Sequence, residues 1–348
     1  MMFRESAIEW QINKQWQRIM EQAVLFSYLF FKGLVKHAIQ LFCYLLPASL
    51  SAQVNYSWEK TATLDITRKH GSSVCVADSV VYVLGGFDGS SIDRNFYELK
   101  GDRLSKLDIK YPGKSFISDI IFYADSTFYV GGGQETNHSH YSEKDFWKYD
   151  LRTRKWDRLN KLPFAYQGAP EVHHRPDGTP YVVVARHDGH NIGLPACIYT
   201  YSIADDKWTL ESICPDKYLL HPRTFVINEE LYVFFESFKY ANWFSGELMK
   251  YNFAAKRWST LAKFPFSKRL ACFAFSDGTN GFVGGGFYDE ALDDIYRYDP
   301  SKDQWSFANT LENKILMANT WTVGNQHYIG FGLYQPIGLI NIWRLRKE

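Results

Sequence analysis

Cysteine is scarce in this chain: five residues in 348, with no CxxC spacing, which removes the common zinc-ribbon and thiol–disulfide redox motifs. P-loop, HExxH, GxSxG and dinucleotide-binding fingerprints are also missing. Charge of one sign is lacking too. The formal net charge is +1 and no basic run occurs, so there is no electrostatic ground for expecting nucleic acid as a partner. The glycines of YVGGGQ and FVGGGF close apolar runs without opening helices, which makes them structural and not phosphate cradles. His138, His140, His173, His174, His187 and His190 gather in one part of the chain, but no Cys or carboxylate accompanies them at a ligand spacing. No metal site and no cofactor is expected.

Aromatic residues, by contrast, are plentiful at 17%, and the 24 glycines are scattered among short apolar runs. That mixture favours many short strands joined by turns over long helices, because aromatic side chains suit a pleated, half-buried surface. The first 52 residues differ from the rest. Lys32 and Lys36 precede the apolar run AIQLFCYLLPASLSA, which ends in small residues, the order of an export signal cleaved after Ala52. Lys32, Lys36 and His37 make a permanent membrane span through this region costly. Residues 1–52 are therefore expected to be an N-terminal extension and signal peptide, and 53–348 the mature domain. Cys197 and Cys214 flank one expected hairpin. They form either a bridge or two buried thiols, the second being favoured because Cys75 and Cys272 lie in apolar strands.

A period of about fifty residues runs through the domain. Six apolar strands carry an aligned aromatic: Tyr82, Tyr129, Tyr181, Tyr232, Phe282 and Tyr328. Downstream, Tyr149–Trp156, Tyr201–Trp208, Tyr251–Trp258 and Tyr298–Trp305 repeat a Tyr-to-Trp spacing across turn-rich segments such as YSIADDKW, and Tyr97–Leu104 aligns with Leu in place of Trp. These are hairpins. A four-stranded sheet cannot bury both faces alone, and radial stacking around an axis gives each sheet a neighbour on either side. The diglycines Gly85–Gly86, Gly132–Gly133 and Gly285–Gly286 then fall where strands crowd together and where unusual φ is needed. The last repeat lacks a Trp strand after NIWRLRKE, whereas NYSWEKTATL stands at the front with no repeat of its own. The N-terminal strand is expected to complete the sixth sheet and cover its bare edge.

Diglycine followed by spaced Tyr and Trp resembles the kelch repeat, over roughly Tyr56 to Lys347. The resemblance implies an all-β, six-bladed propeller. It also implies ligand binding at the channel mouth, where loops entering the inner strands meet loops leaving the glycine-ended strands. By position these loops carry His70, Ser72, Ser118, Asp119, Gln134, Gln167, Asp188, Asn319 and their neighbours. The repeat rules fail together in the third and fourth blades, at Val184–Ala185 and Phe235–Glu236, and such failures tend to mark functional positions. Arg186, His187, Asp188, His221, Arg223, Glu236, Arg269 and Asn319 are accordingly the candidate ligand-binding residues. Arg223 and Glu236 read either as part of an acid–base set or as a structural ion pair. If the candidates bind ligand, alanine at Arg186, Arg223 and Glu236 should weaken binding and leave thermal unfolding nearly unchanged.

The expected protein is a non-enzymatic module that recognises a glycan or protein ligand, exported to the periplasm, surface or medium of a bacterium, with no stable membrane span after cleavage. The alternative is a periplasmic sugar-processing enzyme resembling the kelch mutarotase of sialic acid, which needs only a general acid and base placed on one sugar.

Overall fold

A computed structural model describes residues 55–66, 69–136, 141–187, 195–215, 222–236, 246–266, 268–335 and 339–347. The expected signal segment, 1–52, lies outside these residues. Alternating apolar residues and short turns produce strands throughout, arranged as six four-stranded antiparallel sheets and one two-stranded ribbon, Lys314–Leu316 with Leu333–Gln335. The inner strands of blades one to six are Ser73–Ala77, Ile117–Ala124, Ala165–His174, Pro222–Ile227, Phe273–Ser276 and Asn319–Val323. Each adjoins the inner strand of the next blade, and the sixth returns to the first. The ring is closed.

Closure uses the front of the domain, as the unmatched repeat predicts. Tyr56–Leu64 pairs antiparallel with Ile340–Lys347, setting Trp58 opposite Leu345 and Ser57 opposite Arg346. Side chains reinforce the seam. Glu59 accepts from Arg344 at 2.6 Å and from Arg346 at 2.6 Å. Tyr56 donates its hydroxyl to Asp277 of blade five at 3.1 Å, and the Trp58 ring meets Phe275 edge-on at 5.7 Å.

Aromatic pairs recur at equivalent places because the repeat puts aromatic residues opposite one another on adjacent strands. Phe122 stacks on Tyr129, Phe225 on Tyr232, Phe275 on Phe282 and Trp321 on Tyr328, with interplanar angles of 10°, 8°, 8° and 7°. The Tyr and Trp of the outer hairpins are cross-strand partners, as at Tyr201 and Trp208, and pack into the cluster between blades two and three. Blade one departs from the expected alignment. Leu104 pairs with Leu99, not Tyr97, because Gly101 at φ +61° permits a shorter turn between Lys100 and Arg103.

The diglycines hold blades together. Gly86 N–H donates to the Phe116 carbonyl at 2.7 Å, and Gly286 N–H donates to that of Ile315 at 2.7 Å. A Cβ on Gly85 would stand 2.1 Å from the Phe116 oxygen, and both glycines of that pair have positive φ. The same junction is made differently elsewhere. In blade two, Gly133 N–H donates at 2.6 Å to the Tyr166 hydroxyl, which in turn donates to the Ser118 carbonyl at 2.8 Å. In blade four, which lacks diglycine, the Glu236 carboxylate accepts from the Cys272 N–H at 2.8 Å.

Cys75, Cys197, Cys214 and Cys272 are all buried and outside any disulfide. Cys214 Sγ lies 3.7 Å from Met249 Sδ, and Cys197 faces the Pro195 carbonyl, so the alternative of a bridge between them is not realised.

Candidate functional site at the propeller channel

The six inner strands surround a channel of about 830 Å³. Backbone bridges from His70 to Phe87 and from Leu270 to Phe287 tie inbound and outbound loops together at one end, which is the predicted mouth. Left-handed residues recur just inside it: Gly71, Ser118, Gly168, Ala271 and Met317, from five blades. Their repetition around the ring marks a geometric requirement of the turn into each inner strand. Ser118 N–H donates to the Gly71 carbonyl at 2.6 Å, and Met317 N–H to that of Ala271 at 2.8 Å, so these turns are also contacts between blades.

Ser72, Ser118, Asp119, Gln134, Gln167, Arg223, Glu236 and Asn319 line the channel, a polar set from five of the six blades. Asn319 donates to Ser72 Oγ at 3.2 Å across the junction of blades six and one. Of the eight candidates singled out from the sequence, Arg223, Glu236 and Asn319 are therefore brought together on the channel. Asp188 and His221 lie outside the described residues.

Arg186, His187 and Arg269 point elsewhere. Arg269 is 1% exposed and its guanidinium donates to the Gly285 carbonyl at 3.1 Å and to Asp294 at 3.1 Å, beneath Phe264 and Tyr296. It braces blade five. Arg186 approaches the Cys197 thiol, and His187 is buried with its ring stacked on Tyr141 at 5.1 Å. All three follow the blade sheets because cationic and imidazole side chains next to an inner turn can tuck between blades as readily as face the axis.

A buried charge cluster occupies the wall of blades three and four. Arg223 donates through Nε to Glu236 at 2.9 Å and through Nη1 to Glu171 at 3.0 Å. Burial works against the charged guanidinium, but the two carboxylates outweigh it and hold its pKa above the ordinary arginine value. Glu236 is 3% exposed and also carries the Cys272 amide, so the structural reading of the Arg223–Glu236 pair is the one realised. Burial pushes the Glu171 carboxyl up to about 7 despite Arg223. On blade two, burial likewise pushes Asp119 up to about 7, opposed by the Ser115 hydroxyl, which donates to Oδ1 at 2.6 Å. Its Oδ2 is buried with no hydrogen-bond partner. Toward the far end of the channel, His173 Nε2 sits 2.6 Å from Thr224 Oγ1, and burial lowers its pKa to about 4, leaving a neutral imidazole.

Glu171 escaped the sequence reading. Its inner strand is bulged: Gln167 pairs with Ala185, yet Glu171 pairs with Val183, so Gly168–Ala169–Pro170 contains surplus chain. The available signal was a lone carboxylate within an inner-strand run that the other blades fill mainly with apolar and small residues, placed directly after Gly-Ala-Pro.

A closed ring of six four-stranded sheets, with glycine junctions at a polar axial channel, defines a six-bladed kelch-type β-propeller. The kelch motif family matches residues 282–312, which span the second strand of blade five to its outer hairpin. A relative from Caenorhabditis elegans, protein tag-53, is 22% identical over 70% of this chain, while the chain spans only 20% of that relative's length.

Proposed function

We propose that this chain is an exported binding module that receives a segment of another protein at the mouth of its channel. One observation carries this reading: polar side chains from five blades converge on a single axial space of about 830 Å³, within the size range of ligand sites. A kelch propeller is suited to protein binding, since loops from several blades present one composite surface. Binding is favoured over catalysis because the blade three–four cluster is internally satisfied. Arg223 is engaged by Glu171 and Glu236, and Glu236 by a backbone amide. Export rests on the lysine-led apolar run ending at Ala52.

Peptide and glycan arrays probed with the 53–348 domain test the reading beside Gln134→Trp and Gln167→Trp, which obstruct the mouth. Both variants should lose binding to peptides while keeping the wild-type unfolding midpoint. Undiminished binding by both would move the site off the channel. Glycan binding lost in the same variants would keep the site and change the ligand. Acceleration of N-acetylneuraminate mutarotation above the buffer rate would make the protein an enzyme.

A further inference from the structure

We infer that the protein segment received at the channel mouth is anchored by an apolar side chain, leucine, methionine or phenylalanine, packed against Met317 on the rim of blades five, six and one. This rests on the channel-mouth reading above and assigns the residue type that the site selects.

The channel lining is two-sided. Its acidic and arginine side chains, Asp119, Glu171, Arg223 and Glu236, all come from blades two to four, and Arg223 is taken up by the two glutamates. Among the described lining residues of blades five, six and one there is no Asp, Glu, Lys or Arg, and near the mouth these blades contribute Phe87, Leu270 and Met317. A charged ligand group finds no ion-pair partner on that side, and its desolvation would go uncompensated. An apolar group finds surface of its own kind. The rim is also fixed in place. Backbone bridges join His70 to Phe87 and Leu270 to Phe287, and Lys314–Leu316, paired with Leu333–Gln335, leads directly into Met317.

Met317 breaks the rule of the ring. The left-handed position that opens the inner strand holds Gly71, Ser118, Gly168 and Ala271 in blades one, two, three and five, all small, but methionine at φ +54° in blade six. Left-handed backbone disfavours any side chain relative to glycine. The turn is held there, because the Met317 N–H donates to the Ala271 carbonyl at 2.8 Å. Burial offers little compensation: Met317 lines the channel and is 44% exposed, whereas Met249 is 6% exposed. The turn accounts for the φ and leaves the choice of methionine to another cause. An unbranched, polarizable side chain on a rigid rim can adapt to apolar partners of differing shape. Contact with such a partner supplies the burial that the ring itself withholds.

The test uses the 53–348 domain, in which Met249 and Met317 are the two methionines, and a random twelve-residue peptide display library. Selected peptides should share one position filled by leucine, methionine or phenylalanine. Alanine at that position should weaken binding about tenfold, the worth of burying roughly two methylenes. With methionine methyls labelled for NMR, a bound peptide should move the Met317 signal and leave the Met249 signal in place. Met317→Gln, similar in length but polar at its end, should lose the same tenfold, and Met317→Leu should retain wild-type affinity. Met317→Gly should lose affinity without lowering the urea midpoint, since glycine suits the turn; a lowered midpoint with full affinity would make Met317 a packing residue and overturn the inference. Binders with no shared apolar position, an unmoved Met317 methyl, or full affinity in Met317→Gln would overturn it equally. If those binders are nevertheless lost in Gln167→Trp, the channel-mouth reading stands and the apolar anchor alone falls. A library that yields no binders counts against both.

Discussion

Asp119 and Glu236 show how a buried carboxyl takes opposite roles on blades two and four. Glu236 is tied down by a guanidinium and an amide, whereas Asp119 keeps one oxygen without a partner. Alanine at 236 strands Arg223 beside Glu171 and removes the acceptor of the Cys272 N–H, so it should lower stability by about 3–5 kcal/mol, measured by denaturant unfolding. The sequence-based expectation of an unchanged unfolding midpoint is thereby reversed for this residue. For Asp119 the dependence on pH has a definite sign. The folded carboxyl, near 7, holds a proton that the unfolded chain releases near 4, so the group weakens the fold progressively as pH rises between those values. Asp119→Asn should leave stability nearly unaltered at pH 4 and raise it by up to about 4 kcal/mol at pH 8. An equal shift at both pH values would show that folding leaves the titration of this carboxyl where it lies in the unfolded chain. Sequence position placed both residues at the channel, because inner-turn positions recur with the repeat. It could not reveal which way Arg186, His187 and Arg269 turn, since that depends on the space left between particular blades.

At the level of strands and turns, legibility followed periodicity. The six aligned aromatics and four Tyr–Trp hairpins were readable because pleated strands need cross-strand partners at fixed spacing. Irregular segments were not: the Lys100–Arg103 turn and the Gly168–Ala169–Pro170 bulge each change the count of residues without changing their type. Glycine separates the two kinds of constraint cleanly. Gly85 and Gly101 have φ of +64° and +61°, but a Cβ on Gly85 meets the Phe116 carbonyl at 2.1 Å, whereas one on Gly101 meets nothing within 4 Å. Gly101→Ala should therefore cost only about 1 kcal/mol, the price of a left-handed L-residue. Gly85→Ala should add overpacking and the displaced Gly86–Phe116 bond, for a total of about 3 kcal/mol or more. Equal losses in urea unfolding would show that the junction yields.

The ring as a whole depends on one seam. Five blades are built from consecutive strands, and the sixth is completed by Tyr56–Leu64. Trp58→Ala removes the edge contact with Phe275 and part of the packing on the last strand, and should lower stability by about 2 kcal/mol, below the range for a fully enclosed Trp because the ring is only half-buried. Hydrogen exchange should rise first in Ile340–Lys347 and in Tyr56–Leu64 together, since either strand loses its ladder when the other leaves. Greater protection of this pair than of blades two to four would show that the seam is not where the ring opens.

Borrowing the front strand also sets a timetable for biosynthesis. Tyr56–Leu64 is the first strand of the ring to leave the ribosome, yet its partner is made nearly three hundred residues later, a delay of roughly 15–60 s at the usual pace of about 5–20 residues per second. Throughout that interval a strand rich in aromatic and β-branched residues has no edge of its own to join, which makes the nascent chain a natural client for holding chaperones until its far end arrives.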